Sequence, residues 1–250
     1  MLEMRVLDRG ENSGFTNMAI DEAIAMHAQE IGPTLSVYCW KPKTVTIGYF
    51  QGMTNEVDVE QCKIRGIDCI RRVTGGGAVF HDTELTYSFI CTVESGIVSR
   101  NILESYKQIC NGLIFSLKEL GIESQFAGIN DIVSNGKKIS GNAQTRKNLA
   151  VLQHGTLLLD VDVETMFALL KVPNEKIRDK LISDVKQRVT SVKQILGREV
   201  NFNEAKSAVF KGFEKAFDAK LVPGKLQDCE LADAEKIKQR ILSDEWNFMR

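Results

Sequence analysis

Arg71-Arg72-Val73-Thr74-Gly75-Gly76-Gly77-Ala78-Val79-Phe80-His81-Asp82 is the stretch on which the reading of this chain turns. Asp68 to Arg72 has strand character and runs straight into the three glycines. Consecutive glycines open φ > 0 conformations, and their successive N–H groups can form an anion-binding nest. Such a loop also lets a nucleotide or a thin acyl chain lie against the main chain. Arg71 and Arg72 add positive charge at its entry. On alternating strand positions they face opposite sides, so one of the two is expected to meet a ligand. The stretch is neither G-x-G-x-x-G opening a helix nor G-x-x-x-x-G-K-[ST]. A tight turn with two surface arginines therefore stays open as a reading. His81 can orient a backbone group or a carboxylate, and Asp82 can fix its tautomer or cap the next element.

Outward from this loop, strand-like stretches precede and follow it. Thr34 to Trp40 and Thr44 to Phe50 are rich in β-formers, with Gly48 marking close backbone packing in the second. Leu85 to Val93 is a further strand. Helical periodicity predicts helices over Asn17 to Gln29, capped by Thr16 or Asn17, and over Val57 to Arg65 and Ile102 to Leu120. Gly66 and Gly121 close the last two. Past residue 160 the pattern turns helical, at Glu164 to Leu170, Asn203 to Phe217 and Leu231 to Leu242. Arg178 to Leu181 reads as a polar connection and Pro223-Gly224 as a turn. Strands early and helices late are not a βαβ alternation. The expected class is α+β, with a mixed, largely antiparallel sheet packed with helices.

Two later segments carry polar residues in strand settings. Asn130-Asp131 leads through the turn Asn135-Gly136 to Lys138-Ile139-Ser140-Gly141-Asn142-Ala143. The turn folds one short strand onto the other and brings Asn130 and Asp131 towards Lys138. A lysine there can neutralise a phosphate and a developing carboxyl oxygen together. Asp131 can hold magnesium bound to phosphate, and Asn130 offers a donor and an acceptor. A polar hairpin with surface lysines is the alternative. In Gln153-His154-Gly155-Thr156-Leu157-Leu158, Gly155 permits close approach of a ligand. His154 can instead be a hydrogen-bonded core histidine.

Composition excludes several classes. The chain has 250 residues and a formal net charge of -1, from 32 basic and 33 acidic side chains. A nucleic-acid binder would show a basic surplus or stripe. No run approaches a membrane span, and no signal-like start is visible, so a cytoplasmic location is the expectation. The six cysteines are scattered, with no C-x-x-C pair, and read as reduced thiols.

Together the three motifs resemble the lipoate–protein ligase and octanoyltransferase family, which is related in fold to the biotin–protein ligases. The likeness covers about residues 5 to 200, and Glu245-Trp246-Asn247-Phe248 is similar to the end of the family's large catalytic domain. The resemblance implies one catalytic domain over residues 1–250, with a small helical part after about 160 and without the accessory C-terminal domain of full-length ligases. It implies attachment of a lipoyl or octanoyl group to a lysine of lipoyl-carrier domains, those of 2-oxoacid dehydrogenase complexes or the glycine cleavage H protein. A separate accessory subunit is a further implied partner; nucleic acid and membrane are not.

In the ligases, lipoate or octanoate reacts with ATP and Mg2+ to give an acyl-adenylate, which the carrier lysine attacks. On that likeness Lys138 is the catalytic residue. The substrate and nucleotide site comprises Arg71, Gly75, Gly76, Gly77, His81, Asn130, Asp131, Ser140, Gly141, Ala143, His154, Gly155 and Thr156, with Asp131 as metal candidate.

The octanoyltransferases instead move octanoyl from an acyl-carrier protein through a cysteine thioester. Tyr49-Phe50-Gln51, Glu84-Leu85-Thr86-Tyr87-Ser88 and Gln144-Thr145-Arg146 look like those enzymes. Yet Gln125 to Val133, where their nucleophile lies, holds no cysteine, and none occurs between Cys110 and Cys229. Cys91 reads as core. The expectation is therefore an ATP-dependent lipoate–protein ligase. The alternatives are an octanoyl-carrier-protein:protein octanoyltransferase and a non-catalytic carrier-binding module.

Overall fold

A computed structural model describes residues 1–171 and 178–250. Strand β1 (Leu2–Asn12) leads into helix α1 (Gly14–Met26) and the single turn α2 (Ala28–Ile31). Strands β2 (Thr34–Trp40) and β3 (Thr44–Ile47) precede the short helices α3 (Met53–Glu56) and α4 (Val59–Ile64). Then come β4 (Asp68–Arg71), β5 (Val79–His81), β6 (Glu84–Thr92) and the long helix α5 (Ile102–Glu119). A meander follows: β7 (Gln125–Ala127), β8 (Asp131–Ser134), β9 (Lys137–Lys147) and β10 (Ala150–Leu158). The chain continues through α6 (Val163–Leu169), α7 (Arg178–Arg188), α8 (Val192–Leu196) and α9 (Phe202–Phe217). It ends with β11 (Ala219–Pro223), α10 (Asp228–Leu242) and α11 (Asp244–Asn247).

The main sheet has the order β11-β1-β2-β6-β10-β9-β8-β7. β1 runs parallel to both β11 and β2, and the remaining neighbours are antiparallel. The sheet is thus mixed and largely antiparallel, as the pattern predicts. Helices α5 and α9 cover one face, over a core of Leu35, Val37, Phe89, Leu113 and Phe213. They approach closely because Gly112 faces Phe213 and Gly212 faces the Gly112 carbonyl, where a Cβ has no room. α1 and α10 cover the other face, over Met18, Ile24, Tyr38, Ile90 and Leu152. A second sheet, β4-β3-β5, builds its own cluster from Val45, Ile47, Met53, Val57 and Leu169.

Local sequence accounts for most element ends. Asn101 and Asn201 cap α5 and α9 by accepting from the amides of Glu104 and Glu204. Asn135 and Gly136 both take positive φ, 50° and 75°, as a two-residue hairpin requires.

Four expectations are corrected. α1 starts at Gly14, capped by Ser13, because Asn17 is buried and bonds the Cys39 carbonyl instead. β3 stops at Ile47, before Gly48. Arg178 to Leu181 belongs to helix α7 rather than to a connection. The last ninety residues are not wholly helical, since β11 adds a parallel edge strand to β1. Its pairing partner lies some two hundred residues away, so local pattern does not reveal it.

Candidate active site

The glycine loop, the β8–β9 hairpin and β10 converge on one cavity of about 370 Å³. The main sheet supplies its floor through Thr86 on β6, His154 to Thr156 on β10, and Asn142 and Ala143 on β9. The small sheet supplies a wall through Thr46, Arg72 and the run Gly76 to His81. Met18, Met166 and Val185, from α1, α6 and α7, add apolar surface. Lys138 and Asn130 stand on the wall as well.

Of the residues expected in the site, Gly76, Gly77, His81, Asn130, Lys138, Gly141, Ala143, His154, Gly155 and Thr156 line this cavity. Asp131 sits beside it, its carboxylate 2.7 Å from the Lys138 ammonium. Both side chains are more than a third exposed, so the pair is weak as a stabiliser and free to exchange partners. Gly141 leaves room for the Lys138 ammonium, which a Cβ there would crowd. Ser140 is buried and accepts from Asn142 rather than facing the cavity. Asp131 pairs with Lys138, and among the described residues no group of three or more metal-ligating side chains occurs. A magnesium ion carried in on phosphate would meet the Asp131 carboxylate at this edge of the cavity.

The two arginines part company. Arg71 is fully buried, and its guanidinium donates to the carbonyls of Gly48, Tyr49, Gln51, Trp246 and Asn247. It ties the C-terminal helix to the turn after β3 and does not reach the cavity, contrary to its expected role. Arg72 lines the cavity instead. Its Nε donates to Thr74, Nη1 to Thr46, and Nη2 to the carbonyls of Gly75 and Gly77 at 2.7 and 2.8 Å. The same clamp accounts for Gly75, which bonds Arg72 and does not line the cavity. Burial pushes the Arg72 guanidinium down to about 10, against a smaller opposing effect of Tyr106, so it stays charged at neutral pH. Gly48 must be glycine because a Cβ there would overlap the Gly76 carbonyl.

Both histidines are fixed by partners. His154 Nδ1 faces Asp21 at 3.1 Å and its Nε2 faces Thr74 Oγ1 at 2.7 Å. A carboxylate only accepts, so the proton sits on Nδ1 and the Thr74 hydroxyl donates to Nε2. Burial holds His154 below the usual imidazole range, with Asp21 opposing. For Asp21, burial raises the carboxyl, but Arg9, His154 and Tyr38 outweigh it and hold it low. His81 bonds Glu84 at 2.6 Å and Thr46 at 2.9 Å. Glu84, not Asp82, sets its tautomer, and Asp82 pairs with Lys43. Gly155 is required because a Cβ would strike Asn142, whose Oδ1 accepts from Tyr87. Sequence reading passed over Met18, Trp40, Thr46, Thr86, Met166 and Val185. An apolar or hydroxyl residue gives no local sign of lining a cavity.

All six cysteines are described, and none lies on the cavity wall. Burial pushes the Cys39, Cys91 and Cys110 thiols up to about 12. Cys91 is core, as expected. Cys69 is pushed up by its hydrogen bond to Cys62 and by burial, and that bond lowers Cys62 in turn. Cys229 is exposed on α10. No helix among the described residues is long and apolar enough to cross a membrane.

Comparison with known proteins identifies the family of the chain. The sequence model of the lipoyl protein ligase A/B catalytic domain matches residues 13–214. The chain is 36% identical to the octanoyltransferase LipM of Kyrpidia tusciae, each protein covered in full. Among solved structures, it superposes on the bi-partite lipoate protein ligase of Thermoplasma acidophilum, described with its E2 lipoyl domain, with a TM-score of 0.91. That match has 30% identity and covers 99% of this chain and 97% of the other. A lipoate-protein ligase A bound with ATP gives a TM-score of 0.86 at 27% identity, covering 99% of each chain.

Proposed function

The chain belongs to the lipoyl protein ligase A/B catalytic-domain family, and on that premise we propose that it is an ATP-dependent lipoate–protein ligase. It activates lipoate or octanoate as an acyl-adenylate and passes the acyl group to the lysine of a lipoyl-carrier domain. The observation that carries this reading is the chemistry of the cavity wall, which presents Lys138, Arg72 and Asn130 but no thiol. Acyl transfer through an enzyme thioester needs an activated cysteine beside a base. Transfer from an adenylate needs only orientation and charge stabilisation.

In the first step the carboxylate oxygen attacks the α-phosphorus of ATP and pyrophosphate leaves. In the second the carrier lysine, as free amine, attacks the acyl carbonyl. The acyl C–O bond to phosphate breaks, AMP departs, and the proton lost by the amine passes to the departing phosphate group. Lys138 stands where it can face both the carbonyl oxygen and the phosphate, exchanging Asp131 for these anionic partners. The Arg72 clamp holds the carbonyls of Gly75 and Gly77 to itself, which leaves the loop's amide side for the ligand. The acyl chain lies along the apolar surface of Met18, Val79, Phe80 and Met166. The partner we assign is the lipoyl domain of a 2-oxoacid dehydrogenase or the glycine cleavage H protein, with an accessory subunit assisting adenylation. The T. acidophilum ligase, itself bi-partite, supports this assignment.

The name borne by the K. tusciae relative favours a second reading, and on names alone it is the stronger one. There the donor is an octanoyl-carrier-protein thioester. In this cavity the acceptor lysine would attack that thioester directly and release the carrier thiol.

One experiment separates the two. Purified chain is mixed with apo lipoyl domain and either ATP, magnesium and lipoate, or pre-formed lipoyl-adenylate, or octanoyl-carrier protein without ATP. The mass of the domain is then read. Acylation from the adenylate, with or without activity on free lipoate, is expected. Acylation from octanoyl-carrier protein alone would overturn the ligase reading in favour of the second. No acylation from any donor would leave only a carrier-binding role.

A further inference from the structure

Glu84 is a buried carboxylate, 3% exposed, that neither transfer scheme uses. It opens β6 and does not itself line the cavity. Its Oε1 accepts from His81 Nδ1 and from the Thr86 hydroxyl, both at 2.6 Å. Thr86 in turn accepts the indole N–H of Trp40 at 2.8 Å. The Trp40 ring lies stacked on the His81 imidazole, with centroids 3.9 Å apart and planes 19° from parallel. Three side chains of the cavity wall, His81, Thr86 and Trp40, therefore hang from one carboxylate oxygen.

Sheet order says which end of the cavity they occupy. Trp40 is on β2 and Lys138 on β9, three strands apart in the order β2-β6-β10-β9. That is about 14 Å across the sheet at ordinary strand spacing. If the reacting carbonyl sits at Lys138, the stacked pair stands at the tail of the acyl chain. The tautomer of His81 completes the arrangement. With Nδ1 donating to Glu84, Nε2 bonds the Thr46 hydroxyl, which itself takes an Arg72 N–H. The hydroxyls of Thr46 and Thr86 and the ring nitrogens of His81 and Trp40 are all taken up within the protein. A wall of polar side chains is thereby closed to hydrogen bonding and presents ring faces and methyl groups to a ligand.

We propose that Glu84 is a positioning residue for the tail of the acyl site: by holding His81, Thr86 and Trp40 in one arrangement it determines which chain length the cavity accepts. The proposal rests on the reading of this cavity as the acyl site. A buried carboxylate is costly unless its hydrogen bonds are made. Here it makes two to cavity-wall residues, so its removal frees His81, Thr86 and Trp40 rather than merely loosening the core. An apolar residue at 84 would leave His81 and Thr86 without their acceptor and Trp40 without a fixed anchor.

The test uses Glu84→Met, of similar volume without the two acceptor oxygens, Glu84→Gln, which keeps one, and the near-isosteric Thr86→Val, which cuts the link to Trp40. Straight-chain donors of six to twelve carbons are supplied in the form the previous experiment shows to be used, adenylate or carrier thioester. Wild type is expected to prefer one length sharply. In Glu84→Met and Thr86→Val, the kcat/KM ratio between that length and the one two carbons longer falls about tenfold, the size of one lost hydrogen bond to a charged group. The change lies in KM, and Glu84→Gln restores the preference. A folded Glu84→Met with the wild-type length profile would overturn the proposal, and should that variant not fold, an unchanged profile in Thr86→Val does so equally. Wild type inactive on every donor would instead overturn the acyl-site reading, and the proposal with it.

Discussion

Lys138 and His154 are the residues whose chemistry is most open to measurement. Among the described residues Lys138 is the cavity cation with substantial exposure, so its loss should cost charge stabilisation and little stability. Lys138→Ala is expected to slow transfer from pre-formed lipoyl-adenylate by about 10²–10³-fold, the range for removing one charge-stabilising donor, with its melting temperature within a few degrees of wild type. Turnover at the wild-type rate would remove its assigned role. His154 is buried and neutral, and burial holds it below its ordinary value of 6.5. The unfolded chain therefore takes up that proton first as pH falls. Stability is fully present above pH 6.5 and declines below it. Thermal melts between pH 7 and 5 should show this decline in wild type and a shallower one in His154→Gln. The carboxyl of Asp21, also held low, adds its own loss only below its ordinary 3.8.

The decisive element is the glycine loop between β4 and β5, because the small sheet aims it at the cavity. Two of its neighbouring glycines differ in what they permit. A Cβ at Gly48 would overlap the Gly76 carbonyl, whereas one at Gly75 would meet nothing within 4 Å. Gly48→Ala must push the loop off Arg72, and we expect it to abolish acyl transfer to below a hundredth of wild type while the protein still folds. Gly75→Ala is expected to fold with an unchanged melting temperature. Equal melting temperatures and equal rates in both variants would show that the loop is not held as described. Elements whose form is set by their own residues were legible from sequence: helices α5 and α9, the Asn135-Gly136 turn and β6 all lie close to where pattern puts them. β11 was not, since five residues acquire strand form only beside β1.

At the scale of the molecule, Arg71 joins parts of the chain that pattern cannot connect. Its amide donates to Asn247 Oδ1, and its carbonyl accepts the Trp246 indole N–H, both at 2.8 Å. Removing the guanidinium would orphan several buried carbonyls at once. Arg71→Ala is expected to lose on the order of 3 kcal/mol or more, which is about ten degrees in Tm for a chain of this size. Denaturant melts following Trp246 fluorescence would check it, and a variant as stable as wild type would show that the C-terminal helix is held by other contacts. The sequence by itself determined the α+β class, the glycine loop, the lysine hairpin, the absence of a thiol in the stretch before Lys138, and ten of the residues that meet in the cavity. Those depend on backbone preferences and spacings that act over a few residues. Only the tertiary structure decided that Arg72 rather than Arg71 faces the cavity, that Glu84 rather than Asp82 holds His81, and that Trp40 and Met18 close the cavity. Such choices depend on which strands become neighbours: Thr74 meets His154 across 80 residues and Asp21 meets it across 133. A side chain's partner there is set by sheet order and burial, which no stretch of sequence carries alone.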